Sequence, residues 1–148
     1  MGTDGQENTG TPPATIFFSR TYDEALALVH EARSYLAGPG QEKVKDLSTG
    51  SSFEYATQSL RLTTRLTETM SWLMFQRALQ AGEITAEEAQ AEDCHIQYFD
   101  VCLPDEGDAA AVDLPEGLIS LLERSESLYR RIARLDQRGI DAWQKYHS

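Results

Sequence analysis

The chain has no run of apolar residues long enough to cross a membrane. A membrane-spanning helix needs about 18 consecutive apolar residues, and no segment of the 148 residues reaches that length. The first residues also lack the basic region followed by an apolar run that is typical of a secretory signal. These absences predict a protein that stays in the cytoplasm and does not have a membrane as a partner.

Cysteine and histidine are scarce. Cys94 and Cys102 are the only cysteines, and the three histidines, His30, His95 and His147, are far apart. Neither the short spacing of zinc ligands nor an H-E-x-x-H motif occurs, so we predict no metal site. Two free thiols are the expected state of the cysteines in a reducing cytoplasm, and a disulfide between them is the alternative.

Motifs that carry catalysis are missing too. The sequence has no G-x-S-x-G, no P-loop and no G-x-G-x-x-G, which are the usual signs of a nucleophile or a nucleotide site. The neighbouring acids Glu87 and Glu88, like Glu92 and Asp93, are interpreted as a solvated surface and not as a catalytic pair. We therefore predict no enzymatic activity and no cofactor, and a function in binding other proteins.

Basic residues are far fewer than acidic residues. The 24 acidic residues outnumber the 13 Lys and Arg residues, giving a formal net charge of −11. A chain this acidic repels phosphate backbones, so nucleic acid is not a predicted partner. From Glu92 to Asp113 there is no Lys or Arg at all.

The length fits one domain, because two separate cores would each be small. Residues 1–15 are rich in Gly, Thr, Asn and Pro and have the composition of a disordered segment. The spacing of Thr21 and Glu24 predicts a capping box, with the first helix beginning near Tyr22 and ending at Gly38 and Pro39. We predict a helical bundle domain over 16–138 and a flexible tail over 139–148.

A second and longer helix is predicted after a polar connection. Ser51 and Glu54 repeat the capping spacing, and Phe53 to Ala81 contains neither Pro nor Gly. Such a helix is about 40 Å long at about 1.5 Å per residue and ends at Gly82. Leu60, Leu62, Leu66, Met70, Leu73 and Met74 share one broad apolar face, which is expected to meet the core.

The region between this helix and the last one is irregular. Thr85 and Glu88 are spaced to cap a short helix through Ala91, and partial alternation after it allows a short extended segment. Asp113, Pro115 and Glu116 then begin the last helix, which is predicted to end near Gly139. The predicted fold is an all-α antiparallel three-helix bundle with a long central helix and an irregular acidic connection before the last helix.

The second half of the long helix is apolar on nearly every side. Trp72, Phe75 and Leu79 continue the line of Arg61 and Arg65, which lies opposite the apolar face. Two interpretations remain open: the Glu83 to Asp113 segment covers this patch, or a second protein chain does so, since Trp and Arg are common anchors of interfaces.

The last helix carries a basic cluster in an otherwise acidic chain. Its arginines include Arg130 and Arg134, which oppose the negative end of the helix dipole or dock an acidic partner. The predicted protein-interface residues are Arg61, Arg65, Trp72, Phe75, Leu79, Arg130 and Arg134.

Three segments carry a recognisable pattern of residues. The first follows the first helix and comprises Tyr35, Leu36, Gly38, Pro39 and Gly40. The second lies in the long helix and comprises Ser59, Leu60, Arg61, Leu62, Thr63, Thr64, Arg65, Leu66, Ser71, Trp72, Leu73, Gln76, Arg77, Ala78, Gly82 and Glu83. The third comprises Leu114, Pro115, Leu122, Ser125, Leu128, Arg131, Ile132 and Leu135. Together they resemble the regulator of CtrA degradation (RcdA-like) family of alphaproteobacteria over most of Tyr22 to Asp136.

The resemblance implies a three-helix bundle that dimerises and acts as an adaptor for the ClpXP protease in cell-cycle-regulated proteolysis. Its implied partners are a second copy of the chain, the protease's unfoldase primed by a response regulator, and cargo proteins. The predicted location is the cytoplasm, including the cell pole. The acidic connection and the tail match no motif of the family, so partner choice is allowed to differ.

Two other functions stay open at this point. One is a homodimeric structural or regulatory bundle without a link to a protease. The other is a bundle that binds a small ligand or a metal through its acidic stretch, which predicts a melting temperature that rises with divalent cations.

Overall fold

Three long helices carry the fold in the computed structural model, which describes residues 13–104 and 113–147, with side chains from 18 onward. They are α1 (Pro13–Ala37), α3 (Thr49–Gln80) and α5 (Glu116–His147), and the short helices are α2 (Pro39–Val44) and α4 (Phe99–Cys102). Two 3-10 turns, Glu88–Gln90 and Glu92–Cys94, lie between α3 and α4. The described residues contain no strand, so the all-helical class is confirmed. The extended segment considered after Ala91 does not form a strand there.

Helix α1 begins earlier than its capping pattern predicted. It starts at Pro13, where a missing amide proton does no harm at a first helical position. Thr21, the expected cap, is buried within the helix instead. The predicted disordered segment 1–15 lies mostly outside the described residues, and its last three residues form the first turn of α1.

Helix α3 is capped three residues before the predicted cap. Ser48 has an extended backbone, and its side-chain oxygen accepts a hydrogen bond from the Ser51 amide at 3.1 Å. The predicted end is confirmed: Gly82 follows the helix with φ of 76°, a conformation that glycine adopts readily.

The pair after α3 forms its reciprocal capping contact. The Thr85 amide donates to Glu88 Oε1 at 2.8 Å, and the Glu88 amide donates to Thr85 Oγ1 at 3.0 Å. The helix predicted through Ala91 is only the 3-10 turn Glu88–Gln90.

Helix α5 continues beyond its predicted end. Gly139 does not stop it, and the helix runs to His147, because one glycine costs only about 1 kcal/mol inside a helix and no proline follows. The Trp143 and His147 rings stack one turn apart, with centroids separated by 3.7 Å. The described part of the predicted tail is therefore helical.

The contacts between helices establish their directions. Glu31 pairs with Arg124 and Glu24 with Arg131, so α1 and α5 are antiparallel. On α3, Arg65 bonds to Ser125 while Trp72, further along, bonds to Asp136.

Helices α3 and α5 therefore run parallel, and the antiparallel arrangement predicted for them is wrong. A short loop forces two helices to be antiparallel, but the long connection after α3 returns along the bundle before α5 begins.

The core lies where α1, α3 and α5 meet. Small residues on α1 allow the helices to approach closely, and leucines from α3 and α5 fill the space between them. Its buried members include Ala25, Leu28, Ala32, Leu62, Leu66, Leu73, Leu118, Leu121, Leu128 and Ile132. Among the described helices, none is long and apolar enough to span a membrane.

Candidate protein-interaction site

Arg65 is a charged side chain inside the bundle, with only 2% of its surface exposed. Its Nε donates to the Cys102 carbonyl, and its Nη1 donates to the Leu122 carbonyl at 2.9 Å and to Ser125 Oγ at 3.1 Å. Burial lowers the pKa of Arg65, and the nearby Glu126 carboxylate opposes that effect. Arginine nevertheless stays protonated in proteins, so this cation connects α3, α4 and α5 and does not face solvent.

Arg61 lies one turn earlier and supports the same segment. Its Nε donates to the Val101 carbonyl at 2.9 Å, and its Nη1 donates to Gln58 Oε1 at 3.2 Å. Together with Arg65, it holds the carbonyls of two consecutive residues. The arginine line predicted as an interface therefore docks α4 onto α3.

Trp72 is buried within its own chain, with 3% of its surface exposed. Its Nε1 donates to Asp136 Oδ1 at 2.9 Å, and the ring of Phe18 packs edge-on against it. The same carboxylate lies 2.9 Å from His95 Nδ1 and accepts a hydrogen bond from the Ile96 amide. Helices α1 and α5 thus cover Trp72, and the segment between α3 and α4 reaches the same site.

Phe75 and Leu79 are half-buried, unlike Trp72. Leu79 lines a groove of about 400 Å³ whose walls include Ile140 and Trp143 of α5. The structure brings Leu79 and Trp72 to this groove and leaves the arginines elsewhere. The seven predicted interface residues consequently do not form one continuous surface.

An exposed stripe runs along the outer face of α3. Its large members Phe53, Leu60 and Met74 are 73%, 65% and 59% exposed. The sequence predicted that Leu60 and Met74 face the core. The predicted apolar face was too wide, because polar residues such as Arg65 and Thr69 occupy inward positions between the leucines. We call this surface the α3 stripe; it consists of Phe53, Thr57, Leu60, Thr64, Thr67, Ser71 and Met74, none of them charged.

A second apolar surface surrounds α4. Tyr98, Phe99 and Val101 are exposed, and next to them lie Arg130 and Arg134 of α5. Arg130 Nε donates to Glu126 Oε2 at 2.8 Å. The sequence analysis predicted the two arginines as interface residues but did not predict Tyr98 and Phe99. The only signal for these two aromatic residues was their position in an acidic stretch.

The described residues contain no group of three His, Cys, Asp or Glu side chains placed to hold a metal ion. Cys94 and Cys102 are buried free thiols, and burial raises the pKa of each. Low reactivity is expected of such thiols at neutral pH.

Comparison with known proteins identifies relatives of this chain. Residues 13–147 match the model of a family described as a protein of unknown function, DUF1465. The chain is also 43% identical to a crystallised protein, RcdA from Caulobacter crescentus, over 82% of this chain and 89% of that one. The chain belongs to this RcdA-like family. The resemblance predicted from the sequence is confirmed.

The two RcdA-like structures superpose with a TM-score of 0.68, so they share a fold. The match to the DUF1465 family model extends from α1 to the last turn of α5. It thus includes the stretch after Gly139 that was predicted to be a tail. No match was found among curated protein sequences.

Proposed function

We propose that this chain is a non-enzymatic adaptor that helps deliver cargo proteins to the ClpXP protease in cell-cycle-regulated proteolysis. Its 43% identity to RcdA supports an adaptor role. The delivery step, the unfoldase primed by a response regulator and the cargo proteins are the parts that the proposal adds.

Beside that likeness, the α3 stripe is the structural observation that supports a function in binding proteins. Large apolar side chains that stand in water are stabilised when a partner covers them. Along the stripe, Phe53, Leu60, Thr67 and Met74 recur every seven residues with Thr and Ser between them, so they share one face of α3 along which another helix can lie.

A second copy of the chain is the partner that we propose for the α3 stripe. In a two-fold contact the same surface meets itself, and a net charge of −11 makes most faces of two copies repel one another. An uncharged stripe avoids that repulsion. The proposed homodimer uses α3 against α3.

The same stripe favours a second candidate function. A homodimeric structural or regulatory bundle without a protease link needs only this contact. The two candidates differ in whether the dimer binds an unfoldase.

A capture experiment tests the adaptor proposal. The full chain is immobilised and offered purified ClpX. The unfoldase is tested alone, with the unphosphorylated response regulator that primes it, and with the phosphorylated form. Retention of the unfoldase under a priming condition is expected. If the unfoldase passes through under every condition while the chain is dimeric, the adaptor function is wrong and the regulatory dimer stands.

Light scattering with size exclusion tests the α3 contact. Leu60→Asp places a charge at the centre of the α3 stripe and is expected to yield a folded monomer. His30→Asp is the matched control, because it adds one negative charge at an exposed position of α1 and leaves the dimer intact. A wild-type monomer, or a dimeric Leu60→Asp variant, would rule out the proposed contact.

The location of the protein stays a prediction as well. We propose the cytoplasm, including the cell pole, and neither nucleic acid nor a membrane as partner. A fluorescent fusion at native expression checks the location.

A further inference from the structure

The turn that contains α4 exposes large apolar side chains on a backbone of unusual geometry. Tyr98 has φ of 62°, a left-handed conformation that residues other than glycine rarely adopt. It is followed by the exposed Phe99 and Val101. Such backbone persists only where surrounding contacts hold it, and it is common at binding sites.

Those contacts are present at both ends of the turn. Before it, the Gln97 amide donates to Glu68 at 3.1 Å and the Tyr129 hydroxyl donates to the Gln97 carbonyl at 2.8 Å. At its end, Arg61 and Arg65 bind the carbonyls of residues 101 and 102. The fold thus positions the backbone firmly while it leaves the side chains of Tyr98, Phe99 and Val101 exposed.

A groove of about 290 Å³ lies between this turn and α5. Phe99 and Tyr129 form part of its wall and meet edge to face, with ring centroids 5.9 Å apart. Leu103 adds further apolar surface. The space is large enough for one or two side chains of a partner, and its walls are mostly apolar.

The edge of the groove is basic. Arg130 and Arg134 both line it, and Arg130 is partly neutralised by Glu126. Arg134 is exposed and makes no hydrogen bond or ion pair with the described part of the chain. Among the described residues nothing occupies its guanidinium, and an arginine binds a carboxylate through two parallel hydrogen bonds.

We propose that the groove between α4 and α5 binds a short peptide segment of a partner protein in which a bulky apolar side chain stands beside one or more carboxylates. The apolar side chain packs against Phe99 and Leu103, and a carboxylate pairs with Arg134. The inference rests on the proposed function, since it names the chemistry of a partner that an adaptor recognises.

Peptide display identifies the ligand without knowledge of the partner. The immobilised full chain selects from a library of random peptides, in parallel with Arg134→Glu and Arg33→Glu. Arg33 is exposed on α1, so the control makes the same charge change away from the groove. We expect the wild-type chain and Arg33→Glu to enrich peptides with Asp or Glu next to Phe, Leu, Ile, Met or Trp, and Arg134→Glu to lose them.

Titration of the most enriched peptide measures the effect. Arg134→Glu is expected to weaken its binding at least tenfold, and Phe99→Ala is expected to do the same without loss of helical circular dichroism. Binding to wild type is expected to weaken as salt is added. The proposal is overturned if no acidic and apolar peptides are enriched, if enriched peptides are basic or neutral, or if Arg134→Glu binds them as wild type does.

The two experiments distinguish a failure of the proposed groove from a failure of the adaptor function. The selection uses the purified chain without any protease, whereas the capture experiment uses the unfoldase. Enriched peptides without unfoldase capture support the groove and remove the adaptor, and the reverse result removes the groove alone. Enrichment of sequences that match the chain's own acidic connection would point to a second copy as the occupant and overturn the proposed partner.

Discussion

Trp72 and Asp136 join the two parallel helices: the indole Nε1 of Trp72 donates a hydrogen bond to Asp136 Oδ1 at 2.9 Å. The same carboxylate accepts the Ile96 amide at 2.9 Å and lies 2.9 Å from His95 Nδ1. One side chain therefore connects α3, α5 and the segment between them. Removing it leaves buried donors without an acceptor.

Asp136→Ala is expected to lower the free energy of unfolding by about 2–4 kcal/mol, because each buried donor left unpaired costs about 1–3 kcal/mol. Urea denaturation followed by circular dichroism measures the change. Asp23→Ala removes an exposed carboxylate from α1 and should stay within about 0.5 kcal/mol of wild type. Equal stability of the two variants would contradict the role of Asp136.

Arg65→Ala is expected to destabilise the chain by about 3–5 kcal/mol, because it removes one member of a buried charged network. The loss should be local as well. Hydrogen exchange at the amides of Val101, Cys102 and Leu103, which bond within the α4 turn, should speed up more than exchange in the α1 helix.

Arg33→Ala is the matched control for Arg65→Ala, since Arg33 is exposed on α1. It should change neither stability nor exchange in α4. An Arg65→Ala variant in which α4 exchanges as slowly as in wild type would show that Arg65 does not hold the turn.

Two glycines lie where helices approach one another closely. A Cβ atom at Gly40 would collide with the Tyr55 hydroxyl, and one at Gly117 would collide with the Tyr35 ring. Gly40→Ala and Gly117→Ala should each destabilise the chain by about 1–3 kcal/mol, the usual cost of overpacking. Thermal melting measures it.

Gly50→Ala provides the opposite result. A Cβ there meets nothing within 4 Å, and the residue lies in α3. Alanine should raise stability by up to about 1 kcal/mol, because it is the better helix former. Similar effects at all three glycines would argue against the close packing.

The Glu31–Arg124 pair makes stability depend on pH. Arg124 donates two hydrogen bonds to the Glu31 carboxylate, at 2.7 and 2.6 Å, and these lower the pKa of Glu31 below its ordinary value of 4.5. Its stabilisation is therefore complete above pH 4.5 and is lost as the pH falls through the lowered pKa.

Glu31→Gln should cost less than about 1 kcal/mol at neutral pH, since both partners are half exposed and water screens the pair. The difference from wild type should vanish in acid below the lowered pKa. Urea denaturation at several pH values measures it, with Glu123→Gln, at an exposed site on α5, as the control. A cost that persists unchanged in acid would contradict this role.

Local sequence signals predicted several elements correctly. The Thr85–Glu88 contact and the end of α3 at Gly82 each depend on a few neighbouring residues, so spacing alone was sufficient. The start of α1 and the end of α5 were missed, because a capping pattern around Thr21 and a glycine at 139 are weak signals that packing or helix continuity overrides.

The candidate sites were harder to predict, because periodicity tells which residues share a face but not which face is inside. Arg65 was taken for an interface residue and Leu60 for core, whereas Trp72 was left open between cover by its own chain and cover by a partner. A buried arginine is acceptable only where acceptors from other segments meet it, and those acceptors come from residues 37 to 60 positions away.

By itself, the sequence determined the helical class, the acidic surface and the family, because composition, short spacings and residue motifs are carried by the chain in any conformation. Only the tertiary structure decided that α3 and α5 run parallel, that Trp72 lies inside and that Leu60 and Phe99 face solvent. These outcomes depend on which distant groups satisfy the hydrogen bonds of Arg65 and Asp136, and that pairing exists only once the helices have packed.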